Sequence, residues 1–138
     1  MPNALGNPFP EPIEFNRWFA SNAGFETTLQ TLRDAISDAE MMVLHEIDTQ
    51  AILKKGGIEI GGLRQILYFH PRYMKQVLET DASAVIEAPL KFVVRESGEN
   101  QVVCNYIRPS YLFGRYAGLE KMGAELDGIA VKIAASVG

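Results

Sequence analysis

Cysteine is nearly absent from this sequence: Cys104 stands alone among 138 residues. A single thiol excludes an internal disulfide framework, and the chain fits a reducing compartment, the cytoplasm, better than an oxidising one. Long apolar runs are also missing. No window approaches the roughly 18–20 consecutive apolar residues that a membrane-spanning helix needs. The opening MPNALGNPFPEP has neither the basic cluster nor the apolar stretch of a secretory signal. No membrane partner is expected. Basic excess is lacking as well, with 13 Lys and Arg against 17 Asp and Glu and a net charge of −4. A nucleic-acid footprint needs a dominant basic face, so no nucleic-acid partner is expected either. Nor is there a glycine-rich phosphate loop. KKGGIEIGG has the glycines but follows a helix instead of joining a strand to one, and it fits neither GxGxxG nor the P-loop.

What is present is an ordinary core-forming chain. With 47% apolar residues, a domain of this length buries roughly 65–70% of the surface it exposes when unfolded. Four of the seven prolines fall within the first twelve residues, and a segment poor in backbone donors makes no ladder of its own. Residues 1–24 are therefore read as an extended N-terminal arm and residues 25–138 as one domain. Within the arm, IEFNRWFA gathers Phe15, Trp18 and Phe19 and suits either a short helix or a strand.

Periodicity supplies the rest. FETTLQTLRDAISDA places Leu29, Leu32 and Ile36 at helical spacing behind Thr27 or Thr28 as a cap. MMVLHEID alternates as a strand, with Met41, Val43, His45 and Ile47 on one face and Met42, Leu44, Glu46 and Asp48 on the other. Asp48 and Thr49 can cap QAILKK, which Gly56-Gly57 stops. RQILYFH reads as a strand running into a helix whose first turn holds Pro71. LKFVVRE and QVVCNYI read as a hairpin joined by SGENQ. Leu112, Tyr116, Leu119, Met122, Leu126, Ile129, Ile133 and Val137 form a long C-terminal amphipathic stripe, with a break or a close helix contact expected near Gly118. There is no internal repeat.

From EIDTQ through LYFHPRY and APLKFVV to YIRPSYL, the order and spacing of elements resemble the domain-of-unknown-function family number 302, over roughly residues 25–120. The resemblance implies an α+β fold, a curved antiparallel sheet backed by helices, and a tendency to form homodimers. It implies no established reaction, and the cofactor stays unknown. The family commonly has Asn before the first of these prolines, where this sequence has His70.

Each candidate functional residue also has a plain structural explanation. HEIDT opens like the zinc-protease helix, but that motif needs a second His one turn on, and Thr49 stands there. His45 and His70 can make a metal or haem site only if the fold joins them; otherwise His45 is a strand residue and His70 a hinge before Pro71. Cys104 is a redox or sulfur-handling candidate only if a nearby cation lowers its pKa; otherwise it packs as a small apolar group. Arg108 with Ser110 at a helix start suits an anion, while capping alone accounts for Ser110. Tyr68, Tyr106 and Tyr111 lie where strands meet helix starts, positions suited both to a core and to the mouth of an apolar cleft. The reading preferred from these residues is a homodimeric domain that binds a small apolar or anionic ligand or a partner, through His70, Tyr68, Tyr106, Arg108, Tyr111 and Cys104. The alternative is a redox, sulfur-handling, metal or haem protein using Cys104, His45 and His70. No residue is assigned a catalytic role.

Overall fold

A computed structural model describes residues 15–98 and 100–137. The proline-rich stretch 1–12, expected to be extended, lies outside them. Five antiparallel strands form one open sheet in the order β1-β5-β4-β3-β2: β1 (Asn16–Ser21), β2 (Met42–Asp48), β3 (Leu63–Phe69), β4 (Leu90–Glu96) and β5 (Val102–Ile107). The helices are α1 (Phe25–Asp38), α2 (Thr49–Lys55), α3 (Pro71–Thr80), α4 (Pro109–Phe113) and α5 (Glu120–Ala135), with a 3-10 turn at Ala82–Glu87. The fold is therefore α+β, an antiparallel sheet backed by helices that end in a C-terminal amphipathic one.

Alternation assigns the two faces of the sheet. Ile66 and Tyr68 of β3, Phe92 and Val94 of β4, and Cys104 of β5 are buried in one cluster with Leu29, Leu32 and Ile36 of α1 and Met122, Leu126 and Ile133 of α5. Tyr68 stacks on Phe92 with ring centroids 5.3 Å apart. The remaining positions, among them Gln65, Leu67, Lys91, Val93, Asn105 and Ile107, belong to the outer face.

Several local readings change. Residues 16–21, placed in the arm by sequence, form edge strand β1 paired to β5. The extra residue Leu44 makes a bulge in β2, so Val43 opposes Tyr68 while His45 opposes Leu67, and the expected Val43–His45 face is broken. The α1 N-cap is Gly24, not Thr27 or Thr28; Thr28 instead donates to the Gly24 carbonyl at 2.8 Å. Ser110 does not cap α4 with its side chain. Its backbone N–H donates to Asp127 Oδ1 of α5 at 2.7 Å. The expected break falls between α4 and α5, where Gly118 has φ of +91°. Gly123 permits the close packing that follows, since a Cβ there would lie 3.1 Å from Ser110 Cα.

Candidate functional site

The residues singled out by sequence do not converge. His70 is the N-cap of α3: its Nδ1 accepts the Arg72 backbone N–H at 3.1 Å, the role a short polar side chain takes before a proline at N1. His45 opposes Leu67 in β3. His70 follows Leu67 by three positions along extended chain, so about 10 Å of backbone lies between His70 and the position opposite His45. Among the described residues no group of three or more His, Cys, Asp or Glu is arranged to hold a metal ion. Cys104 is fully buried, and burial pushes its thiol up to about 12, which leaves it protonated at neutral pH and a poor nucleophile.

Tyr68 is buried in the core, and desolvation pushes its phenol well above the ordinary value. Tyr111 stacks on Phe15 at 4.4 Å, with the Arg115 guanidinium 5.0 Å from its ring centroid. Tyr106 and Arg108 do come together, lining a small cleft of about 170 Å³ with Arg17, Asp127 and Val131. Asp127 supplies a carboxylate there, and its Oδ1 already receives the first turn of α4.

A larger cleft, about 410 Å³, lies on the outer face of the sheet, within the size range of small-molecule sites. Its apolar floor is Leu67, Val93 and Ile107 from three neighbouring strands, and Ile86 and Leu112 stand at its end. Ile86 is 82% exposed. The polar lining consists of Gln65, Asn105, Asn16, Lys91 and Glu87. Strand register accounts for their positions, since Gln65 and Asn105 both oppose Val93 from the two sides of β4. Lys91 Nζ donates to Gln65 Oε1 at 2.9 Å, and Asn105 Nδ2 donates to Asn16 Oδ1 at 3.2 Å. Glu87 Oε2 accepts from Tyr116 Oη at 2.6 Å and from Arg115 Nη2 at 2.9 Å.

Of the sequence candidates only Tyr106 touches this cleft. The rest of the lining was missed, although a signal existed. A sheet face turned to water alternates with polar residues, yet the positions out of phase with the core in LKFVVRE and VVCNYI include Val93, Val103 and Ile107.

Comparison with known proteins agrees with this architecture. The family model for Domain of unknown function DUF302 matches residues 19–137. The chain belongs to this family. A crystal structure of an uncharacterized conserved DUF302 protein from Bacillus stearothermophilus superposes with a TM-score of 0.83 at 16% identity, covering 91% of this chain and 100% of the other. At that identity the likeness concerns the fold alone. No curated protein matches the chain. Among the described residues of this DUF302 domain, no helix is long and apolar enough to cross a membrane.

Proposed function

We propose that this DUF302 domain is a non-enzymatic, small-ligand-binding protein of the cytoplasm whose site is the outer-face cleft. One observation carries the reading: Leu67, Val93 and Ile107 form an apolar floor edged by the amides of Gln65, Asn105 and Asn16. An apolar cavity with a few convergent polar groups suits a small molecule, because burial supplies affinity and the polar groups fix orientation. The opposite face is packed with Tyr68, Phe92 and the apolar side chains of α1 and α5. A free, fully buried Cys104 accords with a reducing compartment.

Homodimerisation is a second reading, supported by a different part of the molecule. Edge strand β2 exposes Met42, Val43 and Leu44 in succession, and an apolar strand edge is a template for pairing with another chain.

Both readings are tested on one isotope-labelled sample. A fragment screen followed by amide NMR should shift the signals of Leu67, Val93 and Ile107, and Ile107→Asp should abolish the shifts while the remaining spectrum stays dispersed. Shifts that map elsewhere, or survive the substitution, sink the ligand reading. Light scattering across a concentration series decides the dimer, and a monomer at high micromolar concentration removes it.

A further inference from the structure

The hydrogen-bond inventory of the cleft indicates what kind of ligand it takes. An ammonium has no acceptor, so the Gln65 atom facing Lys91 Nζ at 2.9 Å is the amide oxygen. Both hydrogens of Gln65 Nε2 are left for another partner, and so are two of the three on Lys91; among the described residues neither group makes another hydrogen bond. The Asn105–Asn16 pair at 3.2 Å leaves one amide oxygen and one NH₂ unused whichever way the amides are turned, so it favours neither donors nor acceptors. The single carboxylate of the lining, Glu87, already holds a guanidinium and a phenol. Its charge is neutralised by Arg115, while the ammonium of Lys91 faces a neutral amide. The cleft is thus donor-rich and carries unbalanced positive charge beside an apolar floor.

We propose that the cleft binds a monocarboxylate with an apolar body, its carboxylate received by Lys91 Nζ and Gln65 Nε2 and its hydrocarbon lying on Leu67, Val93 and Ile107. The assignment rests on the reading of this cleft as the ligand site and adds the ligand's charge and polarity. Lys91 sits on β4, the central strand of the sheet, flanked by Leu67 in the register. A lysine placed there brings one point charge to an apolar surface, and its carbon stem can pack on that surface while the ammonium meets the acid. Glu87 also lines the cleft, but its charge is already balanced by Arg115 through Oε2, so it offers a cationic ligand less than the unbalanced Lys91 offers an anionic one.

The full-length protein is titrated with octanoate, octanol and octylamine below their aggregation concentrations, following the amides of Leu67, Lys91, Val93 and Ile107. Octanoate should bind about tenfold or more tighter than either of the others, the margin expected of hydrogen bonds to a charged group. Lys91→Met keeps the stem and removes the charge; it should weaken octanoate by about tenfold, leave octanol within about twofold, and be largely rescued by Lys91→Arg. Equal binding of octanol, preference for octylamine, or octanoate affinity unchanged in Lys91→Met would overturn the carboxylate assignment and leave the cleft as a site for another ligand. Failure of all three probes to shift these amides would remove the site itself.

Discussion

The two faces of the sheet are built from the same strands, with residues of opposite function adjacent in the chain. Phe92 points into the helix-covered face, where it meets Tyr68 and Tyr106; Val93, the next residue, forms the floor of the outer cleft. On the covered face, aromatic and aliphatic groups exclude nearly all solvent, and the ionisable groups among them, Tyr68, Tyr73, Tyr106 and Cys104, are pushed toward their neutral forms by burial. On the outer face, amides and an ammonium stand between apolar side chains, an arrangement that adds little to stability but leaves donors for another molecule. Stability and recognition are therefore divided between the faces, and substitutions should separate them.

The sharpest test compares neighbours. Phe92→Ala opens a cavity in the core and should cost about 3–5 kcal/mol, while Val93→Ala, at a partly exposed position, should cost no more than about 1 kcal/mol and weaken cleft ligands. Urea denaturation measures the first effect and titration the second. Equal costs would mean that the outer face is covered and structural.

A smaller effect concerns the charged rim of the covered face. Arg33 of α1 reaches Glu46 with Nε at 2.5 Å and Nη2 at 2.9 Å, and Arg64 bridges Glu46 and Asp48 at 3.1 and 3.2 Å. The hydrogen bond from Arg33, assisted by Arg64 against the opposing effect of burial, holds the Glu46 carboxyl below its ordinary range. A carboxyl lowered in the folded state stabilises fully above its unfolded pKa, and that contribution is lost as pH falls through the folded value. Stability should therefore decline from about pH 5 downward, by about 1 kcal/mol for this solvent-screened cluster. Glu46→Gln should flatten that part of the pH profile, and an unchanged slope would show that the cluster contributes nothing.

The least change is expected at His70, outside both faces. Asn can accept the same Arg72 N–H, so His70→Asn should hold stability or raise it by up to about 1 kcal/mol without altering binding in the cleft. A thermal midpoint measured with and without octanoate checks both parts.

Local chemistry was legible in the sequence and tertiary chemistry was not. The helical spacing of Leu29, Leu32 and Ile36, the proline turn after His70 and the break at Gly118 depend on residues within a turn or two of each other. Asp127 receiving Ser110, and Glu46 held by Arg33, depend on elements that meet only after folding. Strand β1 was ambiguous because NRWFAS has a cation and two aromatics in succession in place of alternation, and its place as a strand comes from its partner β5. The bulge at Leu44 left no local signal. The cleft was hidden because each strand contributes only one or two of its residues, and its apolar character emerges when Leu67, Val93 and Ile107 are brought side by side.

The pairing of β1 with β5 also bears on how the chain is made. Asn16 meets Asn105 across 89 residues, so the first strand leaves the ribosome long before its partner exists. At about 5–20 residues per second, Trp18 and Phe19 spend roughly 4–18 seconds without the strand that shelters them. Through that interval both aromatics stand outside the sheet, which is completed from its far edge back to its beginning.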